Sequence, residues 1–454
     1  MAAPTPRKVS VAIVGGGIGG LTLALAIQRF CDMSQLDVHI YEAASQFSQV
    51  GAGINIWGRV HKISTDLGLE ADLARLLRED DIGYFTCRKS DQAEGQTFRD
   101  VYIENGKMML LHRAEVQDLL LKHISPDIKI YLSHRLEDYS YGTHAAERIE
   151  LRFRDGQVAR CDLLIAADGV HSVVRRVFLS NLAEKMGRPE LRDALAPVFS
   201  GTNAYRGLVA PEQLEAVWPN HPVLTKPFIY SGKDKHVVAY PISCGRAVSV
   251  IAFYTDMSKE DTPFEGSQIG QATTEEVLKT YEGWEPEVRA ILSCLRTPSH
   301  WAIITQKPLD TWANDGVFLL GDAAHAMTTH LGAGAGQAIE DAYILAQILA
   351  REQRKGYPAI LSSETASLYN RLRPRIANFV SARARLQNRF YEFNEEDAGL
   401  ALLQKDSPVF MKSDRLARIG HAIWDGFHWR EHFIVKDTDT KVAVYLGLEE
   451  QEWA

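Results

Sequence analysis

The stretch from Val9 to Glu42 most narrows what this chain can become. Val9-Ser10-Val11-Ala12-Ile13-Val14 is a short β-branched run, and Gly15-Gly16-Gly17-Ile18-Gly19-Gly20 follows it at once, opening an apolar helical pattern from Leu21 to Phe30. Strand, glycine turn and helix in that order make the βαβ unit that binds dinucleotides. Glycine has three uses here: Gly15 lets the chain turn tightly, Gly17 lets a pyrophosphate approach the backbone, and Gly20 lets the helix lie close on the strand. The helix N-terminus then offers free N–H groups to a dianion. Asp37-Val38-His39-Ile40-Tyr41 is a second strand. Glu42 ends it, about twenty residues beyond the turn, where a carboxylate accepts both ribose hydroxyls of an adenosine and repels a 2′-phosphate. A GxGxxG alone is weak. The strand before it, the helix after it and the acid at this distance favour a dinucleotide site over a tight turn beside a solvated glutamate.

A chain of 454 residues is too long for one ordinary core, so two interlocked domains are expected. Apolar content of 46% and charged content of 24% fit a soluble globular protein. A net charge of −8 gives no electrostatic reason to expect nucleic acid or an anionic membrane as partner. No unbroken apolar run approaches the ~18 residues of a membrane span. The N-terminal residues lead straight into the first strand, so no signal peptide is expected. Cys31, Cys87, Cys161, Cys244 and Cys294 form no CxxC pair and no even framework. A reducing, cytoplasmic setting follows as the expectation.

Further along, Val50-Gly51-Ala52-Gly53-Ile54-Asn55-Ile56-Trp57-Gly58-Arg59 is a second glycine-rich turn before a helical stretch that ends near Gly68. It is either a plain connection or a close backbone approach to a flat ligand, with Arg59 as a nearby cation. Residues 82–111 alternate like strands of an antiparallel sheet. His112-Arg113-Ala114-Glu115-Val116-Gln117 opens a helix to about His123. Arg113 in the first turn is out of place unless an anion binds there, so it is a candidate phosphate ligand. Cys161–Ala167 is a buried strand stopping at Asp168-Gly169, at the carboxyl end where α/β sheets bind ligands. Alternating runs at 204–209, 236–241 and 247–254 indicate a sheet covering something on one side, the substrate domain. Gly316–Leu320 is again a buried strand, ending in Gly321-Asp322, and Leu331-Gly332-Ala333-Gly334-Ala335-Gly336 runs into a strong helix from Gln337 to Arg354. Beyond Pro358 the pattern is helical. Arg371, Arg373, Arg375, Arg383, Arg385 and Arg389, balanced by Glu392, Glu395, Glu396 and Asp397, are simplest as solvated helix faces.

The Gly15–Gly20 turn, Asp168-Gly169 and Gly321-Asp322, in that order and each at a strand end, resemble the single-component FAD-dependent aromatic hydroxylases. That family includes para-hydroxybenzoate and salicylate hydroxylases. Gly51-Ala52-Gly53-Ile54 and Gly332–Ala342 match as well, and the resemblance runs to about residue 380. In detail the chain resembles fungal salicylate hydroxylase-like enzymes and the phenol hydroxylases that tailor polyketides. The implied fold is α/β: a Rossmann-like FAD-binding domain (1–80, 105–185 and 298–357) interleaved with a mixed-sheet substrate domain (81–104 and 186–297), followed by a C-terminal helical region (358–454). The implied cofactors are FAD, NADH or NADPH as transient co-substrate, and O₂. The implied reaction is hydroxylation of a phenolic aromatic compound through a flavin C4a-hydroperoxide, with loss of CO₂ where a carboxylate sits on the attacked carbon. A homodimer is left open. Carried over residue by residue, Gly15, Gly17, Gly20 and Glu42 would hold the adenosine side. Arg113 would meet the ribityl and phosphate side, and Asp322 a ribityl hydroxyl. Asp168 would help close the cleft, with Gly53 and Arg59 beside the flavin. Gly334 and Ala335 would aim backbone N–H groups at the flavin N1–C2=O edge, which becomes negative on reduction. Arg206 and Tyr240 match the residues that dock and ionise a phenol, and a guanidinium with a tyrosine hydroxyl supplies the cation and the donor a phenolate needs. Tyr205 and Tyr230 are their expected neighbours.

Two positions depart from the family pattern: Ala326 and Thr329 stand where proline is usual. His330 beside them is either a local acid or base or a hydrogen-bonded structural histidine. His428-Trp429-Arg430-Glu431-His432 fits an inverted zinc-peptidase pattern but lacks a third ligand, and no metal site is expected. The competing expectations are an FAD monooxygenase acting on a terpenoid or indole, a flavin reductase without oxygen insertion, and a non-catalytic flavoprotein.

Overall fold

The computed structural model describes residues 7–47, 53–56, 58–77, 83–102, 109–142, 149–356, 358–394 and 416–425, with the side chains of 58 and 59 outside that description. The pattern at 428–432 and residues 51 and 52 therefore lie outside the described residues.

Two large sheets organise the molecule. The first has six strands in the order Ala313–Asn314, Val317–Leu319, Leu163–Ala166, Val9–Val14, Leu36–Tyr41 and Lys129–Tyr131. Its pairings are parallel apart from the short edge strand Ala313–Asn314. Continuous apolar runs such as Leu163–Ala166 are what a parallel strand covered on both faces requires. The helices Ile18–Phe30 and Gly334–Arg354 pack against each other in one core with these strands.

The second sheet has eight strands: Ile269–Gln271, Ser299–Thr305, Val198–Val209, Ala247–Pro263, Lys235–Ile242, Phe228–Gly232, Tyr84–Lys89 and Gln96–Tyr102. It is antiparallel except where Phe228–Gly232 runs parallel to Tyr84–Lys89. Chain segments about 140 residues apart are thereby joined in one surface, the distance from Arg88 to Tyr230 being one such pairing. Met109–His112 does not join this sheet as the alternation at 82–111 suggests. It pairs instead with Gly53–Ile56, turning what the sequence presents as a glycine loop into a strand.

Because alternate residues face opposite sides, register decides which side chains look toward the first sheet. The row Ala204, Phe253, His236 is followed by Arg206, Ile251, Val238 and then by Leu208, Ser249, Tyr240. All lie on one face, with Trp301 opposite Ala204. The other face carries Tyr205, Tyr230, Val237 and Ala252 into a separate core with Tyr281, Trp284 and Ile291. Tyr205 and Tyr230, expected as neighbours of Arg206 and Tyr240, therefore point away from the face that carries those two. Tyr230 donates to Glu287 Oε1 at 2.9 Å on that far side.

Arg371 and Arg375 are exposed as expected, but Arg373, Arg383, Arg385 and Arg389 are not, and Glu395, Glu396 and Asp397 lie outside the described residues. Arg373 is fully buried, Arg389 pairs with Glu260 at 2.7 Å, and Arg385 with Asp261 at 2.7 Å. Glu392 is also fully buried, against His236. Arg385, Arg389 and Glu392 tie the helix Pro374–Tyr391 to the second sheet, and Arg373 ties its start to Asp341 and Glu340 of the helix Gly334–Arg354. Its apolar side shares a core with Tyr240, Met327, Leu331 and the short helix at 416–425.

Candidate active site

At the nucleotide turn, Gly15 sits at φ +108°, and a Cβ there would overlap the Ala167 carbonyl. A Cβ at Gly20 would overlap the carbonyl of Gly15, so strand, turn and helix are in backbone contact. Gly17 is different: a Cβ there would meet nothing within 4 Å. The helix it caps has no side-chain cap and no acid in its first turn, so its first N–H groups have no side-chain partner. Glu42 lies at the same turn. Its Oε2 accepts the Gly16 N–H at 2.7 Å and its Oε1 the Ala44 N–H at 2.8 Å. Each carboxylate oxygen accepts more than one bond, so capacity for ribose hydroxyls remains. Buried Gln117 donates from Nε2 to the Gly16 carbonyl at 2.9 Å and fixes the turn from beneath. Nothing in the sequence marks it, because its partner is 101 residues away.

Arg113 begins the helix Arg113–His123 and is exposed. Arg59 lies in the first turn of Gly58–Asp66. Asp168 accepts from the N–H groups of Val173 at 2.8 Å and Val174 at 3.3 Å, capping the helix Val173–Met186 with Ser172. Its Oδ1 is buried without a partner, and burial pushes its carboxyl above the usual range.

Asp322 follows Gly321, whose φ of +60° and ψ of −138° suit glycine, and its carboxylate is exposed. The backbone behind it is locked. Asp341 accepts from Gly321 N–H at 2.9 Å, lies 2.6 Å from His325 Nε2, and accepts from Arg373 Nε at 2.6 Å. Burial works against this charge, but Arg373 and His325 outweigh it and hold the Asp341 carboxyl below its usual range. Buried Arg175 donates to the carbonyls of Ala323 at 3.0 Å and Ala324 at 2.9 Å, and burial pulls it down to about 9. A few residues on, the helix Gly334–Arg354 starts with no side-chain cap and no acid in its first turn, and a Cβ at Gly334 would meet nothing within 4 Å. Gly332 at φ +55° rests on Asn55, tying this loop to Gly53–Ile56.

Arg206 lies 5.3 Å over the Trp301 ring and is half-buried. Its Nε has no hydrogen-bond partner, and no ion pair of its guanidinium is found among the described residues. Burial lowers its proton affinity, Tyr240 opposes that, and Arg113 adds to it, so the three charged or polar groups act on one another. Tyr240 is buried. Burial raises its phenol against the pull of Ser249 and Arg206, which keeps it a neutral donor. A Cβ at Gly53 would overlap the Tyr240 hydroxyl. Gly53 is thus required by Tyr240.

The structure brings Gly15, Gly17, Gly20 and Glu42 together at one turn, and Gly53, Arg206 and Tyr240 at one sheet face, with Arg113 in electrostatic reach of Arg206. At the two positions without proline the loop is held otherwise: the Ala326 carbonyl accepts from Gln306 N–H at 2.8 Å and the Thr329 carbonyl from Gly332 N–H at 2.8 Å, while Tyr391 Oη donates to the neighbouring His330 carbonyl at 3.2 Å. An uncapped helix behind an open glycine, a carboxylate at the strand end and a second uncapped glycine helix fit a dinucleotide that carries a flat ring.

Residues 8–198 and 205–377 match the family model described as FAD binding domain. Salicylate hydroxylase from Pseudomonas putida is 35% identical over 366 residues, covering 78% of this chain and 80% of that protein. The chain belongs to the FAD-dependent monooxygenases. A 6-methylsalicylate 1-monooxygenase from Aspergillus terreus is 31% identical over 402 residues, 86% of this chain and 84% of that one. A solved salicylate hydroxylase substrate complex superposes with a TM-score of 0.77 at 26% identity, over 97% of this chain and 98% of that one. As a monooxygenase of this family, the protein uses FAD.

Proposed function

We propose that this monooxygenase hydroxylates a phenolic aromatic compound of the hydroxybenzoate type, using NADH or NADPH and O₂. The observation that carries the proposal is an unpaired guanidinium and a tyrosine hydroxyl, Arg206 and Tyr240, on the one face of the substrate sheet that meets the flavin-side glycine segments. Bound FAD, once reduced, supplies the oxygen-activating chemistry. The chain's own residues do the rest. Arg206 stabilises the phenolate, Tyr240 donates a hydrogen bond to it, and the apolar face of Ile251, Phe253 and Val238 excludes water. An electron-rich phenolate ring is the nucleophile such oxygen transfer needs.

On the cofactor side, Gly15, Gly17, Gly20, Glu42, Arg59, Arg113, Asp168 and Asp322 are proposed to hold the dinucleotide, and the first N–H groups from Gly334 and Ala335 the flavin edge. The proposal includes the division into an FAD-binding domain at 1–80, 105–185 and 298–357 and a substrate domain at 81–104 and 186–297. A small-molecule partner is in keeping with the relatives' names. Among the described residues no helix is long and apolar enough to cross a membrane. A cytoplasmic location is proposed from the five free cysteines. A homodimer is the assembly to test by light scattering.

The test is NADH and NADPH oxidation by the yellow protein with salicylate, other hydroxybenzoates and resorcinol-type aldehydes, with products identified by mass and CO₂ measured. The expected result is strong stimulation by one phenol, whose product gains one oxygen or exchanges carboxyl for hydroxyl. Oxidation that no phenol accelerates overturns the proposal.

A further inference from the structure

Arg206 is held unlike other arginines that are partly or fully buried. Arg88 meets Glu285 at 2.8 Å, Arg373 meets Asp341 at 2.6 Å, and Arg389 meets Glu260 at 2.7 Å. No carboxylate among the described residues pairs with Arg206. Its Nε is buried and bare, and its guanidinium lies 5.3 Å from the centre of the Trp301 ring. Of the groups that act on it electrostatically, Arg113 repels it and Tyr240 is a neutral phenol. A half-buried cation without a counter-charge is costly, so something other than an ion pair must hold it in place.

Strand register supplies that support. Trp301 stands directly opposite Ala204 on the neighbouring strand, and Arg206 is the diagonal neighbour two residues on. Diagonal pairs are within reach of aromatic and long side chains. The half-buried indole is then fixed in orientation. Trp301 Nε1 donates to Ser299 Oγ at 2.9 Å, and Ser299 Oγ donates to the Arg206 carbonyl at 3.2 Å. Ser299 is itself the cross-strand partner of Arg206. Indole, hydroxyl and the Arg206 backbone thus form a closed circuit that returns to the Arg206 side chain through the aromatic face. An aromatic face attracts a cation through its quadrupole and takes none of the N–H donors, which lie in the guanidinium plane. A carboxylate in the same place would occupy two donors and cancel the charge.

We propose that Trp301, oriented by Ser299, is the positioning residue that holds the Arg206 guanidinium in the pocket while leaving its charge and its donors free for a phenolate. The proposal rests on the phenol reading above. Trp301 makes and breaks no bond; its effect passes through Arg206. A cation held this way favours the ionised phenol over the neutral one. When the ring is lost, that preference weakens, while an aromatic compound that cannot ionise still fits.

The test needs no turnover. FAD-loaded protein is titrated over a pH series with 2,4-dihydroxybenzaldehyde, whose phenolate is read by difference absorbance, and with 2,4-dimethoxybenzaldehyde, which cannot ionise. Trp301→Leu should raise the ionisation midpoint of the bound phenol by about one pH unit, a tenfold loss in phenolate stabilisation, with the Kd of the dimethoxy compound within twofold of the parent's. Trp301→Phe keeps an aromatic face and should recover most of the change. Ser299→Ala frees the indole and should move the midpoint the same way by less. A merely structural role would lower Tm, weaken both ligands alike and leave the midpoint in place. If Trp301→Leu does not hold FAD, Ser299→Ala decides by the same midpoint. Where the aldehyde does not bind the parent, the Kd of salicylate is read in the same variants, with the same order expected. A parent-like value in the deciding variant, while Arg206→Met moves it, overturns the role of Trp301 and leaves the phenol reading standing. A parent that binds no hydroxybenzoate and no resorcinol-type aldehyde, or a parent-like value in Arg206→Met, overturns the phenol reading and this role with it.

Discussion

The nucleotide turn and the substrate face solve opposite problems. At the turn the chemistry is backbone chemistry: a Cβ at Gly15 or Gly20 would overlap a neighbouring carbonyl, one at Gly17 would meet nothing, and Glu42 is bonded to two N–H groups of its own neighbourhood. At the substrate face the chemistry is side-chain chemistry, and it is left unsatisfied. Arg206 has a bare Nε, and His236, His330 and Glu392 all carry unpartnered atoms. A recurrent cofactor can be met by a fixed cradle. A varied substrate is met by groups kept open at a cost in stability, which neighbouring packing must supply.

The comparison breaks most visibly at Arg206. Arg206→Met should lower kcat/KM for the phenol about 10²- to 10³-fold, since truncating a buried charge opposite its partner costs roughly 2–5 kcal/mol. FAD content, read from the 450 nm region, should stay as in the parent. Gly53→Ala probes the contact between the two regions. The new methyl must displace Tyr240, and overpacking of about 1–3 kcal/mol predicts a ten- to hundredfold loss in kcat/KM with a detectable fall in Tm. Glu42→Gln should act only on the cradle, weakening FAD by about ten- to a hundredfold, one lost charge-assisted bond of roughly 1.5–3 kcal/mol. Equilibrium titration of apoprotein measures it, and turnover of the loaded enzyme should be nearly unchanged.

A pH series sharpens the same contrast. Glu392 has its folded value raised to about 8 from 4.5, so its contribution to stability is fully present below about pH 4.5 and is lost as pH rises through 8. His236 is depressed to about 3 from 6.5, so its contribution is present above about 6.5 and is lost as pH falls toward 3. Tm of the parent minus Tm of Glu392→Gln should therefore shrink between pH 6 and pH 9, and a flat difference would contradict the buried neutral acid. The smallest effect is expected at Tyr205. Tyr205→Phe should change kcat/KM less than twofold, because register turns that ring to the far face; a tenfold change would overturn the face assignment.

Much of the cradle was legible because its instructions are local. A positive φ at Gly15, contact between Gly15 and Gly20, and an acid at the end of the next strand are all set within some thirty residues. The helix starting at Arg113 and the one reaching Arg354 were legible for the same reason, from apolar periodicity. The misjudged residues are those whose partners are remote. Arg373 looked like one solvated cation among several, yet it is buried on Asp341, 32 residues away. Glu392 looked like part of an acidic run, yet it meets His236 across 156 residues. Tyr205 and Arg206 are adjacent in sequence, and alternation sends them to opposite sides of a sheet.

By itself the sequence determined the βαβ cradle, the strand-end acids and the family. Glycine conformations and apolar periods are properties of short segments, and they survive in any context the chain can fold into. Only the tertiary structure decided that Gly53 makes room for Tyr240, that Arg175 and Arg373 lock the turn bearing Asp322, and that Glu392 is buried against His236. Those arrangements depend on strand register and helix docking between distant segments, where a shift of one residue would exchange the buried face for the other.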